Sequence, residues 1–424
     1  MTIRKLDCGD SEMSEHGDSC FIGMSMKRRE FLKAMAGVAM TFRILWADEI
    51  PKDMKITRAV GFHLESTRSK FAGKNSRRDV HGSKARDRMV RLYTNMGVDG
   101  IGFCKASRSQ VALLLGKNPF DFYRRKGRAM VSPLGAGTMP LWDVAGKVLG
   151  KPVYKLLGGR GPKRVRVYDG SIYFSDLLPK YASNYVERFK EEIDMGMAIG
   201  HRAFKVKIGR GAKWMPTEAG YTRDIEILKT IRRHVGPDMM IGVDANNGYD
   251  LARSKQLLED LPEFNFAFVE EMFPETVNEC LELKRFIDRH GWKTLVADGE
   301  SVKKVDKFKP YVSARALDVL QGDMRHFGFE GILAEATMAM SKGLQVAPHN
   351  WGSLIAYYMQ LHVGRAIPNF YLAEHDPLAT PILIAEGYKI KDGLATVPDS
   401  PGFGLKLDEA KFAATVNVEF DLKA

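Results

Sequence analysis

Three short apolar runs in the middle of the chain each stop on a carboxylate. MMIGVDANNGYD reaches Asp244, FNFAFVEEMFPE reaches Glu270 and Glu271, and KTLVADGES reaches Glu300. The steps from Asp244 to Glu270 and from Glu270 to Glu300 are 26 and 30 residues. A βα unit of a parallel barrel consumes about 30 residues, since eight of them fill roughly 250. The spacing therefore predicts three successive parallel strands with an acid at the C-terminal end of each. In a barrel those ends converge on one mouth, where active sites sit. A single strand-end acid is often only a helix cap or a solvated loop residue, but three at one repeat length point to a shared site. Three hard oxygen donors at one point suit Mg²⁺.

The repeat extends in both directions. RVRVYDG (164–170) and AFKVKIG (203–209) precede the acid-ending strands, and LDVLQGDM (317–324), LQVAPHN (344–350) and NFYLAEHD (369–376) follow them. Lys205 and Lys207 lie two apart on the second strand and so share a face. Asp323 ends the sixth strand, His349 the seventh and Glu374 the eighth. From Lys207 onward the steps are 37, 26, 30, 23, 26 and 25 residues. Helical stretches, for example 219–235 and 276–290, separate the strands, and such alternation implies a parallel sheet with right-handed crossovers. Eight strands between about 164 and 376 predict a closed barrel.

The flanks divide the chain further. Residues 51–163 read as a small α+β domain. KITRAVGFHLES and MVRLYTNMGVDGIGFCKAS alternate like antiparallel strands, and a polar, basic loop over 67–86 separates them. LWDVAGKVLGKPVYKLLGG reads as a helix interrupted at Pro152 and closed by Gly158-Gly159. The barrel takes 164–385, and the turn-rich segment 386–424 is expected to pack back on the first domain. The fold class expected is thus α/β: a (β/α)7β TIM-like barrel with an N-terminal α+β capping domain completed by the C-terminal segment.

Composition excludes several classes. At 45% apolar and 27% charged residues, the chain matches soluble globular proteins. No run of 18 apolar residues appears, so no membrane span is expected. Cys8, Cys20, Cys104 and Cys280 have no ligand spacing. The net charge of +12 is concentrated in residues 51–130, which hold 19 Lys and Arg against 6 Asp and Glu. Such a patch attracts anions, but no nucleic-acid-binding motif accompanies it; a solvated basic face is the alternative. Residues 1–50 read as a leader. MKRREFLKAMAGVAM pairs Arg28 with Arg29 ahead of small apolar residues and resembles a twin-arginine export signal, with the start expected at Met24 or Met26. This implies periplasmic export. An amphipathic N-terminal helix on a cytoplasmic protein is the alternative.

Taken together, these residues resemble the enolase superfamily in its mandelate racemase-like subgroup. Lys205-Val206-Lys207 is similar to that group's K-x-K. Asp244-Ala245-Asn246, Glu270 and Glu300 are similar to its three metal positions, Asp323 and His349 to its Asp–His dyad, and Glu374 to the acid on its last strand. GTMPLWDVAGKVLGKPVYKLLGG resembles its linker helix, and the likeness spans about residues 54–410. Met272 and Gly322 stand where the family usually has proline. The first departure bears on which of the paired glutamates binds metal, and the resemblance favours Glu270. What it implies is a Mg²⁺ site of Asp244, Glu270 and Glu300, with Lys205, Lys207, Asp323, His349 and Glu374 as catalytic residues.

The chemistry that follows is removal of the α-proton of a carboxylate. Divalent metal would stabilise the enediolate, and enolase-type sites are known to pair a Lys or His base with Mg²⁺. Lys207 and His349 on opposite sides of the mouth allow two outcomes. One is dehydration of a sugar acid, with His349 protonating the leaving hydroxyl. The other is racemisation or epimerisation of an α-hydroxy acid or related carboxylate. The resemblance favours the first. A non-catalytic anion-binding barrel is the different-class alternative. The expected partner is a small anionic carboxylate, and a homo-oligomer is expected.

Overall fold

Alternation in the first long strand is written in burial more than in hydropathy. Strand β1 (Ile56–Ala72) buries every second residue in its later half: Leu64, Ser66, Arg68, Lys70 and Ala72. The inward Arg68 pairs with buried Asp376 at 2.7 Å, and Lys70 lies 3.8 Å from both Asp169 and Glu192. Polar residues thus occupy core positions, which hid the strand from an apolar pattern. The basic loop expected over 67–86 is therefore mostly strand, and only Gly73–His81 connects β1 to β2 (Gly82–Thr94). Strand β3 (Asp99–Phe103) completes an antiparallel β1-β2-β3 meander. The C-terminal strand Val418–Lys423 and the short Leu378–Ala379 also pair antiparallel with β1.

A computed structural model describes residues 50–124 and 127–424, of which Pro51–Ala424 form one compact unit. Arg28, Arg29 and the leader lie outside the described residues. No helix among the described residues is long and apolar enough to cross a membrane.

The second sheet is parallel. Its strands are β4 (Arg164–Ile172), β5 (Ala203–Lys207), β6 (Met240–Asp244), β7 (Phe268–Glu270), β8 (Leu295–Asp298), β9 (Val319–Leu320), β10 (Gln345–Val346) and β11 (Ala373–His375). They pair in sequence order, β4 through β10, and β11 pairs with β4. Isolated parallel bridges join Asp323 to His349 and Val346 to Phe370. All five residues of β5 are buried, as expected of a parallel strand covered on both faces. Helices alternate with the strands, and several of their starts are capped by side chains. Thr276 accepts from Glu279 N ahead of Val277–Arg289, and Asp250 accepts from Arg253 N ahead of Leu251–Asp260. In Val277–Arg289 the buried residues Cys280, Leu283, Phe286 and Ile287 recur at helical spacing. The linker helix is two helices, Met139–Val148 and Val153–Leu157, split before Pro152.

Tyr168, Ala203, Phe268, Ala297, Val319 and Ala347 form a buried cluster just upstream, on the same strands, of the charged residues that follow. This packed floor supports the side chains above it. Register then sets their level: Lys207 lies opposite Asp244, and Asp244 opposite Glu270.

Candidate active site

Lys205 is fully buried among three carboxylates. Its Nζ lies 2.6 Å from Glu270 Oε1, 2.8 Å from Glu374 Oε1 and 3.2 Å from Asp244 Oδ2. Lys207 Nζ donates to Asp244 Oδ2. Gln321 Nε2 donates to the other oxygen of Glu270 at 2.7 Å. Burial opposes charge on Asp244, but the Lys207 and Lys205 ammoniums outweigh it and hold Asp244 well below the usual carboxylate range. Glu270 is pushed up to about 8, first by burial and then by the Asp244 and Glu374 carboxylates, against the pull of Lys205. The reason is ordinary desolvation plus like charge.

Glu300 lies two residues beyond the end of β8, which stops at Asp298. Its Oε2 is 3.0 Å from His349 Nε2. Burial disfavours its charge, yet His349 and then Lys207 keep it below its ordinary value. Glu271, the second glutamate of the pair, is buried beside β7. It is pushed up to about 8 by burial, by Glu300 and by Asp244, and accepts from Asn246 Nδ2 at 3.0 Å. Glu271, Asn246 and Asn247 have φ of 41°, 44° and 60°. Asn tolerates the left-handed region, but Glu rarely adopts it, and such strain collects at functional sites. Among the described residues, no group of three or more His, Cys, Asp and Glu is gathered as a ready metal cage. The acids are instead held by lysine, glutamine and histidine.

The Asp323–His349 pair is built by the helix that follows β9. Asp323 caps Met324–Met340: its Oδ1 accepts from Arg325 N at 2.8 Å and His326 N at 3.1 Å. That leaves Oδ2 for His349 Nδ1, 2.8 Å away. The fixed carboxylate orients the imidazole. Burial opposes the imidazolium, but Glu300 and the Asp323 hydrogen bond raise His349 to about 9. Gly322 donates its N–H to buried Glu335 at 3.1 Å, and a Cβ at 322 would collide with that carboxylate and the Phe327 ring. Proline could fill neither role, which explains its absence before Asp323.

Lys207, His349, Glu300, Asn246, Tyr173 and Trp351 line one cavity of about 400 Å³. The β1–β2 connection closes over it. Ser76 Oγ donates to Ala245 O at 2.5 Å, and Trp351 Nε1 donates to His81 Nδ1 at 3.0 Å. Tyr173 stacks on Trp351 with ring centroids 4.4 Å apart. Lys205, Lys207, Asp244, Glu270 and Glu374 thus form one contact network, and Glu300, His349 and Asp323 a second that opens on the same cavity. Gln321, Ser76, His81 and Trp351 were not found from sequence, and Glu271 was found only as the alternative to Glu270. Only the paired glutamates carried a signal there.

Residues 186–411 match the family described as enolase C-terminal domain-like. The chain is 29% identical over 281 residues to a D-galactarolactone cycloisomerase of Agrobacterium fabrum, covering 63% of this chain and 69% of that protein. It is 31% identical over 294 residues to an arabinonate dehydratase of Saccharolobus solfataricus, covering 68% of this chain and 73% of that protein. A galacturonate dehydratase from Geobacillus sp., solved with D-galacturonate and 5-keto-4-deoxy-D-galacturonate, superposes with a TM-score of 0.80 at 31% identity. The match covers 86% of this chain and 97% of that one. A point mutant of that enzyme was solved with Mg. The chain belongs to the enolase superfamily, in its mandelate racemase-like subgroup.

Proposed function

We propose that this chain is a Mg²⁺-dependent sugar-acid dehydratase whose eight parallel strands close into a (β/α)7β barrel under an N-terminal cap. The Val346–Phe370 bridge supports closure, because it carries pairing from β10 to the approach of β11. The observation that carries the functional reading is that Lys207 and the Asp323-oriented His349 open on one cavity from well-separated strands.

The donor set fits a hard divalent ion. Asp244, Glu270, Glu271 and Glu300 crowd negative charge into buried space, two of them pushed up to about 8, and the Asn246 Oδ1 is buried without a partner among the described residues. Asp244, Glu270 and Glu300 would hold the ion. When bound, it supplies positive charge to substrate carboxylate oxygens as they gain electron density.

Lys207 Nζ takes the α-proton, and Lys205, anchored among its acids, keeps the positive field beside it. His349 delivers a proton from Nε2 to the β-hydroxyl, so that the C–O bond breaks and water leaves. Asp323 holds Nδ1 and so fixes which nitrogen faces the cavity. The enol that remains returns to the 2-keto-3-deoxy acid by proton uptake. Glu374 places Lys205 through their 2.8 Å contact. Tyr173, Trp351 and the cap connection keep bulk water away.

Incubating the purified, Mg²⁺-loaded protein with a panel of sugar acids tests the reading. Formation of a 2-keto-3-deoxy acid from at least one supports it. Inversion at the α-carbon without water loss would replace it with an epimerase. The homo-oligomer and the domain limits at about 50, 163 and 385 belong to the same proposal. So does export through Arg28-Arg29, for which replacing both by Lys should keep a tagged precursor in the cell.

A further inference from the structure

The cavity has two unlike walls. Its barrel side carries Glu300 and Asp323 together with Lys207, Lys303, Arg325, His326 and His349. Its two acids are already paired, Glu300 with His349 at 3.0 Å and Asp323 with His349 and Arg325 at 2.8 and 3.3 Å. Its cap side is basic, with Arg68, Arg78, His81 and Lys84. Arg68 is neutralised by Asp376 at 2.7 Å. Arg78 and Lys84 are exposed, and their side chains have no acidic partner among the described residues. His81 lies between them in the chain. The Trp351 indole N–H can only donate, and it points at His81 Nδ1. The proton of the neutral ring is therefore on Nε2, which has no partner among the described residues. Burial, then Lys207, Arg68 and Arg78, push His81 down to about 4, so the ring is neutral and the field around it is positive. A buried N–H without an acceptor is rare in folded proteins.

We propose that Arg78, Lys84 and His81 Nε2–H form a subsite for a second carboxylate at the far end of the substrate, so that the preferred substrate is an aldaric acid, a sugar with an acid at both ends. This rests on the sugar-acid reading above and narrows it. The first carboxylate goes to the metal that Asp244, Glu270 and Glu300 would hold, beside Lys207, which leaves Arg78, Lys84 and the one fixed donor on the cap side without a counter-charge. A sugar hydroxyl at that end would satisfy His81 but leave the two cations without a counter-charge. A carboxylate satisfies all three. Charge-assisted hydrogen bonds are roughly twice as strong as neutral ones, so the end group should discriminate strongly.

The test compares the aldaric, aldonic and uronic acids of one configuration, which differ only at the chain ends. Binding to the Mg²⁺-loaded His349→Asn variant is measured by calorimetry, and kcat/KM is measured on the wild type. The aldaric acid is expected to bind about tenfold or more tightly than the aldonic acid, the scale of one charge-assisted hydrogen bond. The ratio should fall towards one in an Arg78→Ala/Lys84→Ala double variant, whose exposed positions leave folding intact, and should shrink at high salt. His81→Phe should reduce the ratio and His81→Asn, which keeps a donor, should retain part of it. Equal binding of the two acids, or a preference that survives the double variant, overturns the subsite. Turnover of aldonic acids alone, without tighter aldaric binding, also overturns the subsite but leaves the dehydratase standing. A binding preference without turnover of any sugar acid supports the subsite and removes the dehydratase.

Discussion

Lys205 offers the sharpest stability prediction. It is the shared cation of Glu270, Glu374 and Asp244, at 2.6, 2.8 and 3.2 Å, with both it and its partners buried. Lys205→Met keeps much of the side-chain volume and removes the charge. Breaking one buried pair typically costs about 3–5 kcal/mol, because a buried charge is left uncompensated. Here three acids lose their common partner, so the upper part of that range applies where they are ionised. The cost must depend on pH. Glu270 already sits at about 8 in the folded protein, against about 4.3 unfolded. A carboxyl with a raised folded pKa gives its full stability below the unfolded value and loses it as pH rises through the folded one. Without Lys205, Glu270 moves further up. Urea unfolding with a chelator present should therefore show a loss of about 4–5 kcal/mol at pH 8.5 and a smaller loss near pH 5.5. Adding Mg²⁺ should restore part of it. A loss below about 1 kcal/mol at pH 8.5, or one that does not vary with pH, would refute the idea that Lys205 balances these acids.

Two further outcomes follow from the neighbouring groups. Asp323→Asn should lower kcat by about 10²–10⁴-fold, and the basic limb of the pH–rate profile should move down from near the folded His349 value of about 9; an unmoved limb would separate Asp323 from His349. Glu335, raised to about 8 by burial and bonded among the described residues to Gly322 N–H alone, should weaken the fold as pH rises from its unfolded value through 8. Glu335→Gln should remove roughly 3–5 kcal/mol of that loss by pH 9, read by denaturant unfolding at pH 5 and pH 9.

How much of this was legible in sequence depended on whether chemistry followed a period. The 23–37-residue steps from Lys207 to Glu374 marked the parallel strands, and the acids, lysines and histidine at those steps do share two contact networks. Strand limits were less legible. β9 and β10 are only two residues long, because the chain turns to present Asp323 and His349 just beyond them. The far half of β1 was lost because Ser66, Arg68 and Lys70 fill inward positions that an apolar pattern would have announced. The pairings Arg68–Asp376, His81–Trp351 and Glu335–Gly322 join residues 308, 270 and 13 apart, and none follows from local spacing. Glu271 was visible as one of a pair. Its left-handed backbone and its place beside Asp244 and Glu300 appear only once β6, β7 and β8 lie side by side.

In the proposed reaction Lys207 takes the α-proton while His349, from another strand, completes it. Exchange in deuterated water tests it most directly, on the Mg²⁺-loaded enzyme with a sugar acid it dehydrates. His349→Asn should still exchange the α-proton of that substrate without releasing product, and Lys207→Ala should do neither, while both variants keep their metal. Full turnover in either variant, or α-proton exchange that persists without Lys207, would contradict the account.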